Sequence, residues 1–270
     1  MPARAPGYPT NAEIMRSKPP RLTARLCLAM LLLLSGGAPA FAARSTAPPG
    51  APKPAPGWQA VLVAADNAEP VFDNAVETIA RQLTERGVPA GNIYRLSAGD
   101  EPRDPATEPS SADRLLGRIA GMPVRRGERC LVFITSHGKQ DAGVWLARDR
   151  DYLQPEALAR ALSGRCARVP TVVIVSACYS GIFAGRAMRA PNRIVLTAAR
   201  RDRPSFGCQA DRTYTFFDEC LIDALPRAST WRAAFAETVA CVGRMERRLK
   251  ALPSQPQAYF GTAVRNLPTP

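Results

Sequence analysis

The fold of this chain is decided by Cys130-Leu-Val-Phe-Ile-Thr-Ser-His-Gly138 and, further on, by Thr171-Val-Val-Ile-Val-Ser-Ala-Cys-Tyr-Ser-Gly181. Each stretch opens with a continuous run of apolar and β-branched residues and then changes to small and polar ones. Runs of this kind are typical of strands that are buried on both faces of a parallel sheet. The two stretches therefore predict neighbouring buried strands, each followed by a glycine-containing turn.

Strands and helices alternate through the rest of the chain, which predicts an α/β fold: one three-layer sandwich with a mainly parallel central sheet. The first predicted helix stops at Gly87, and Ser110–Ser111 offer N-cap residues for the second. The further predicted strands are Gln59–Ala65, Asn92–Leu96, Arg193–Ala198 and Gln257–Phe260. The predicted helices are Phe72–Arg86, Ser110–Ile119, Gln154–Leu162, Thr213–Ala224 and Thr230–Leu252.

The amino terminus has the order of a secretory signal: basic residues, an apolar run at Leu26–Leu34, then small residues ending at Ala42. We expect residues 1–42 to be a signal peptide cleaved after Ala42, and the protein to be periplasmic or secreted. The alternative is an uncleaved membrane anchor, but the apolar run is short for a membrane span. Residues 43–57 form a Pro/Ala-rich linker, and the folded domain is expected at 58–270, with no stable membrane insertion after cleavage.

The chain is basic, with a formal net charge of +13. Loss of residues 1–42, which hold five basic residues and one acidic residue, leaves about +9. Such a charge favours acidic substrates, anionic surfaces or nucleic acid. The arginines are dispersed and no aromatic-basic ladder accompanies them, so we expect a peptide or protein substrate as partner and no nucleic acid.

Outside the predicted signal there are six cysteines, at positions 130, 166, 178, 208, 220 and 241. If Cys178 stays a free thiol, at most two disulfides form, and the spacing alone leaves their connectivity open, with Cys220–Cys241 as one candidate. The chain has one histidine and no Cys-x-x-Cys pair. We therefore expect neither a zinc site nor a cofactor.

His137 and Cys178 are the candidate catalytic pair, because each directly follows a predicted strand. The carboxyl ends of parallel strands meet at one edge of a sheet, where α/β proteins collect their sites. An imidazole accepts the proton of a nucleophilic thiol and later protonates the leaving amine. The amides of Gly138 and Cys178 are natural oxyanion donors. The alternative is a structural histidine and a buried cysteine with no catalytic task.

At these residues the sequence resembles the legumain-like cysteine peptidases, the C13 family, which share the caspase-type fold. The resemblance rests on Ser136-His137-Gly138, on Ala177-Cys178-Tyr179-Ser180-Gly181, and on Leu196–Ala199 followed by Ser205-Phe206-Gly207-Cys208. It implies that His137 is the base and Cys178 the nucleophile. It also implies that Asn67, in Ala64-Ala65-Asp66-Asn67, orients the histidine, and that Ser205 lies beside the specificity pocket.

The chain departs from the family where legumains select asparagine. The position of the family's arginine falls in Val71-Phe72-Asp73-Asn74, which has no arginine, and the acidic position falls near Phe217, one residue before Asp218. Asp73 or Asp218 is therefore the candidate to accept a basic substrate side chain in the pocket.

Three functions follow from these patterns. The first is a cysteine endopeptidase that forms an acyl-thioester on Cys178 with His137 as general base. The second is a transamidase or ligase of the same family, in which an amine replaces water. The third is a non-catalytic, peptide-binding envelope protein, against which the presence of His137 and Cys178 argues.

Overall fold

The computed structural model describes residues 57–101 and 104–270. The predicted signal peptide and all of the linker except Gly57 lie outside these residues. The strands are β1 (Trp58–Ala64), β2 (Ile93–Ser97), β3 (Glu108–Pro109), β4 (Arg129–Thr135), β5 (Gly138–Lys139), β6 (Gly143–Leu146), β7 (Asp151–Leu153), β8 (Thr171–Ser176), β9 (Arg193–Thr197) and β10 (Gln257–Phe260). The α-helices are α1 (Val71–Glu85), α2 (Ala112–Ala120), α3 (Pro155–Ala161), α4 (Phe216–Ala224) and α5 (Trp231–Arg248).

Seven strands form the central sheet in the order β10-β9-β8-β4-β1-β2-β3. All neighbours are parallel except β10, which runs antiparallel to β9. The predicted α/β class and the mainly parallel sheet are therefore confirmed. The strands β1, β4, β8 and β9, which were predicted from apolar runs, each have a neighbour on both sides.

The core has two halves, one on each face of the sheet, because side chains of a strand alternate between faces. Along β1, Leu62 packs with α1, α4 and α5, whereas Val61 and Val63 pack with α2 and α3 on the opposite face. Both halves consist of fully buried aliphatic and aromatic side chains. This is the predicted three-layer arrangement.

The helices α1 and α2 agree with the sequence, α1 in its buried apolar stripe and α2 in its capping residue. In α1 the expected stripe, which includes Ile79 and Leu83, is buried against the sheet. In α2 the hydroxyl of Ser111 accepts a hydrogen bond from Arg114 N at 3.4 Å. Such a cap satisfies one of the unpaired amides of a first helical turn. The predicted helix over 213–224 begins later, at Phe216, because Thr215 is its cap and accepts from Asp218 N.

A second, antiparallel sheet of three short strands, β5-β6-β7, was not predicted. It starts directly after His137, and Trp145 N donates to His137 O at 2.9 Å. Ala147 N donates to Ala65 O at 2.9 Å, which ties the end of β6 to the end of β1. The small sheet therefore holds the segment after β4 in place.

Two disulfides are present, Cys130–Cys166 and Cys220–Cys241. The first joins the start of β4 to the turn before β8, and the second joins α4 to α5. The candidate Cys220–Cys241 bridge is thus confirmed, and Cys178 and Cys208 are the free cysteines of the described chain. No helix within the described ranges has the length and apolar character needed to cross a bilayer.

Candidate active site at the carboxyl ends of β4 and β8

The pairing of β4 with β8 brings His137 and Cys178 to the same level of the sheet. Thr135 lies directly opposite Ser176, and Ser136 N donates to Ser176 O at 3.1 Å. His137 and Cys178 each lie two residues beyond that matched pair. Neighbouring strands are about 4.8 Å apart, so the two residues leave the sheet side by side, as the sequence predicted.

The backbones of the two turns are in contact at Gly138. A Cβ atom placed on Gly138 would lie 2.2 Å from the carbonyl oxygen of Cys178 and 3.2 Å from the Ala177 side chain. Any larger residue would have to push the turns apart. Glycine is therefore required here for the close approach of the histidine and cysteine segments.

His137 is held by one aromatic and one acidic neighbour. Its ring meets Phe72 edge-to-face, with centroids 5.3 Å apart, and its Nε2 lies 4.0 Å from the Asp66 carboxylate. The His137 side chain is 41% exposed and that of Asp66 only 5%. Asp66 is itself fixed, because its Oδ1 accepts a hydrogen bond from Ala68 N at 3.0 Å.

The carboxylate that faces His137 in this structure is that of Asp66, and the orienting role of Asn67 stays a prediction. Asn67 is exposed to solvent. The chain leaves β1 after Ala64, and Asp66 turns inward toward the histidine while the next residue turns outward. The signal in the sequence was one position earlier: Asp66 is the first polar residue after the apolar run of β1.

Cys178 is half-buried, and its sulfur lies against the backbone of Ser205. Ser205 N donates to Cys178 Sγ at 3.3 Å, and the Cys178 thiol donates to Ser205 O at 3.5 Å. Burial raises the pKa of the Cys178 thiol above its ordinary value, while the amides of Ser205 and of Cys178 itself act to lower it. One backbone amide, that of Ser205, is thus already directed at the sulfur. Ser205 therefore lies beside Cys178, and its place at the specificity pocket stays a prediction.

The chain turns sharply after Cys178. Tyr179 has a left-handed backbone with φ of 57°, and its amide donates to Arg203 O at 2.9 Å. The next residues form a short 3-10 helix, Ser180–Ala184. A Cβ on Gly181 would lie 2.5 Å from Arg201 N, so glycine lets this turn pack against the segment after β9.

The amide of Gly138 points away from the small sheet. Trp145 N donates to His137 O, so the His137 carbonyl faces β6. No cis peptide occurs in the described chain, and in a trans peptide the N–H of the next residue points opposite to the carbonyl. The Gly138 N–H is therefore directed to the other side, away from β6.

Asp218 lies beneath the strand ends and is fully buried, with 0% of its surface exposed. Its Oδ2 accepts from Thr135 Oγ1 at 2.8 Å, and Oδ1 has no partner. Burial raises the pKa of this carboxyl to about 6, against hydrogen bonds from Ser176, Thr135 and Thr215 that lower it. The expectation that Asp218 meets a substrate side chain is corrected: the structure offers no exposed surface of it.

Asp73 is also not beside Cys178. It lines a different cavity of about 110 Å³ between α1 and the end of β2, together with Arg95 and Glu101. The preceding residue, Phe72, faces His137, and successive helical residues point about 100° apart. Asp73 is therefore turned toward β2, which argues against its predicted place in the pocket.

Cys208, the second free thiol, is half-buried on the same edge of the sheet. Burial raises its pKa to about 12, and the nearby Cys178, Asp218 and Asp66 act in the same direction. It has almost no thiolate at neutral pH and is not activated. In the described ranges no group of histidine, cysteine or acidic residues is arranged to hold a metal ion.

Fold and site together define an α/β protein with a cysteine and a histidine at the carboxyl ends of neighbouring parallel strands. Over residues 121–239 the chain matches the model of the Peptidase C13 family, the legumain-like cysteine peptidases. That stretch begins before β4 and ends within α5, so it includes His137, Cys178 and Ser205. No curated protein matches the chain. The family match indicates cysteine peptidase activity on a protein substrate, and the seven-stranded sheet is consistent with the caspase-like fold of that family.

Proposed function

We propose that this protein is a cysteine endopeptidase that cleaves peptide bonds through an acyl-thioester on Cys178, with His137 as general base. The observation that carries the proposal is the register of β4 and β8, which brings these two residues out of the sheet side by side. The C13 family match over the same segment supports it.

In the first half-reaction the Cys178 sulfur attacks the substrate carbonyl while an imidazole nitrogen of His137 takes the thiol proton. Because Nε2 faces Asp66, Nδ1 is the nitrogen that remains for this transfer. The C–S bond forms and the carbonyl oxygen becomes an oxyanion. When the C–N bond breaks, the amine leaves with the proton that His137 has held.

The oxyanion is stabilised in this proposal by two backbone amides. The direction of the Gly138 N–H, away from β6, supports its role, and the Cys178 N–H is the second donor. Fixed amides of this kind are worth about 3–4 kcal/mol each in related chemistry. The raised pKa of Cys178 favours proton transfer to His137 during the attack over a resting thiolate.

In the second half-reaction a water molecule attacks the thioester, and His137 takes its proton. The C–S bond breaks, a carboxylic acid product leaves, and the thiol regains a proton. An amine in place of water would give a new amide, which is the transamidase or ligase alternative. Product mass separates the two outcomes.

The substrate in this proposal is a peptide or protein, with Ser205 lining the pocket beside Cys178. Since neither Asp73 nor Asp218 is exposed there, the structure does not support a basic side chain at the residue before the cleaved bond. Fluorogenic peptides ending in Asn, Asp, Arg and Ala measure that preference directly. Equal rates for all four would remove the idea of a selective pocket.

Export to the periplasm or beyond is part of the same proposal. It rests on the sequence of residues 1–42 and is supported by the two disulfides, since such bonds persist in oxidising compartments. Cell fractionation together with amino-terminal sequencing of the mature protein is its test.

The test of the activity is labelling by a cysteine-directed activity-based probe. We expect the wild-type protein to be labelled, and Cys178→Ala and His137→Ala to lose labelling and peptide cleavage. Cys208→Ala is the matched control, because it removes the other free thiol and should leave labelling intact. A wild-type protein that is never labelled, even after mild reduction, would end the proposal.

A further inference from the structure

An open groove with three arginines lies one turn beyond the nucleophile. It has a volume of about 480 Å³ and is lined by Gly181, Ala184, Gly185, Arg189, Arg200, Arg201, Asp202, Gln257 and Ala258. We call it the arginine groove. Gly181 is three residues after Cys178, within the turn that packs on the backbone of Arg200 and Arg201. A peptide bound across Cys178 therefore has this groove within reach.

The three arginines differ in how far they are neutralised. Arg200 donates two hydrogen bonds to Asp202, at 2.5 and 2.9 Å, so its charge is already paired with a carboxylate. Arg201 meets only Asp141, at 3.3 Å, and both side chains are largely exposed. An exposed pair of this kind contributes little and is readily exchanged.

Arg189 has no carboxylate partner among the described residues. Its Nε donates to Ala184 O at 3.1 Å, and its guanidinium lies over the Tyr259 ring at 5.3 Å. These contacts fix the direction of the side chain and leave its charge uncompensated. A planar guanidinium with unused N–H donors is suited to bind a carboxylate.

We propose that the arginine groove is a subsite for an acidic side chain of the substrate, Asp or Glu, in the segment flanking the cleaved bond. Arg189 and Arg201 are its specificity-determining residues. The inference rests on the proposed peptidase function and adds a substrate class to it. It also assigns a function, the binding of an acidic substrate, to part of the basic charge of the chain.

Asp141 acts in this proposal as an internal competitor for Arg201. It lies in the turn between β5 and β6, close after His137, so the pair links the segment after His137 to the segment after β9. A substrate carboxylate that binds Arg201 must displace it. Removing the Asp141 charge therefore strengthens the preference for an acidic substrate.

The experiment compares matched quenched-fluorescence peptides. A peptide that the enzyme cleaves is remade with Glu or with Gln at each position flanking the cleaved bond, and kcat/KM is measured at low salt. At one or more positions we expect Glu to be cleaved about fivefold better than Gln, the upper range for an exposed ion pair. The ratio should shrink as salt is added.

Substitutions in the groove test whether it causes the Glu/Gln ratio of kcat/KM. Arg189→Gln together with Arg201→Gln should bring it close to one. Asp141→Asn should raise it, and asparagine is tolerated at the left-handed backbone of that position, where φ is 56°. Arg168→Gln is the matched control, since this exposed arginine precedes β8 at the opposite edge of the sheet. Because each ratio is taken within one preparation, a partly unfolded variant still gives a valid value.

A ratio near one at every position in the wild type overturns the proposal, as does a ratio that survives the double substitution. A ratio lowered by Asp141→Asn overturns the assignment of Arg201. If no peptide is cleaved and Cys178 is not labelled, the peptidase function has failed instead. The groove is then tested by fluorescence anisotropy on Cys178→Ala, where a Glu peptide should bind about fivefold more tightly than its Gln partner.

Discussion

The carboxylate of Asp66 lies 4.0 Å from Nε2 of His137, at the point where the chain leaves β1. Asp66 is buried and the histidine is half-exposed, so the carboxylate has little freedom to move and the imidazole has more. The separation is longer than a hydrogen bond. In the proposed mechanism Asp66 is a positioning residue: it stabilises the imidazolium formed during attack and leaves Nδ1 to face the substrate.

Asp66→Asn should lower kcat by about 100-fold with little change in KM. We expect less than the roughly 10⁴-fold loss of a directly hydrogen-bonded acid and histidine, because 4.0 Å leaves room for a partial effect. Steady-state kinetics on one peptide measure both constants. Asn67→Ala is the neighbouring control and should stay within about threefold of wild type, as expected of most exposed positions. A larger loss in Asn67→Ala than in Asp66→Asn would restore Asn67 as the orienting residue.

The reactivity of Cys178 toward iodoacetamide should rise steadily with pH, by about tenfold per pH unit from 6 to 9. Burial raises the pKa of this thiol, so the thiolate fraction is small and grows with each unit. Mass spectrometry of the alkylated peptides gives the rate. Cys208, with a pKa of about 12, should react far more slowly throughout. A rate that is flat between pH 5 and 8 would instead indicate a resting thiolate–imidazolium pair.

Gly138→Ala should lower kcat/KM more than about 100-fold, since two turns must separate to admit a Cβ 2.2 Å from the Cys178 carbonyl. The unfolding free energy should fall by about 1–3 kcal/mol, typical of overpacking. Activity assays and urea unfolding report the two effects. Gly117→Ala in α2 faces open space and should stabilise the helix by up to about 1 kcal/mol without loss of activity. Near wild-type activity of Gly138→Ala would contradict the requirement for glycine where the two turns approach each other.

Asp218 should make the protein less stable as the pH rises from about 4 to about 6. The folded-state pKa of about 6 exceeds the usual 3.8, so the folded protein holds a proton that the unfolded chain releases. Stability then falls with pH across this window. At about 1.4 kcal/mol per pH unit the penalty reaches about 3 kcal/mol above pH 6.

Asp218→Asn should therefore gain stability relative to wild type between pH 4 and pH 7, measured by urea unfolding at each pH. Asp223→Asn is the control on the same helix, where the carboxylate is exposed and its pKa is lowered by the hydrogen bond to Arg227. Parallel pH curves for wild type and Asp218→Asn would contradict the burial argument.

The parts of the fold that were predictable from sequence are those that repeat over several residues. The runs at 130–135 and 171–176 predicted β4 and β8 almost to the residue, because a strand buried on both faces leaves no polar position. The pair β5 and β6 was missed for the opposite reason. Strands as short as Gly138–Lys139 contain too few residues to show a period.

The candidate site was predictable in its chemistry but not in its finer placement. His137 and Cys178 were predictable because each directly follows an apolar strand, and the strand fixes where the backbone of the next residues lies. Asp66 rather than Asn67 faces the histidine, and Phe72, one residue before Asp73, packs against its ring, since one residue of chain reverses or rotates a side chain. The short 3-10 turn after Cys178 depends on contacts with Arg201 and Arg203, which are distant in the sequence.

The Cys130–Cys166 bridge has a consequence for the conditions in which this protein is handled. It closes the amino ends of β4 and β8, while the free thiol of Cys178 stands at the carboxyl end of β8. One pair of strands thus has sulfur at both ends, with opposite redox requirements. A reductant strong enough to open this buried disulfide removes the crosslink that holds the strands together, whereas a milder one acts on the more accessible Cys178. The protein is expected to work best in a mild thiol buffer and to lose activity in both stronger oxidant and stronger reductant.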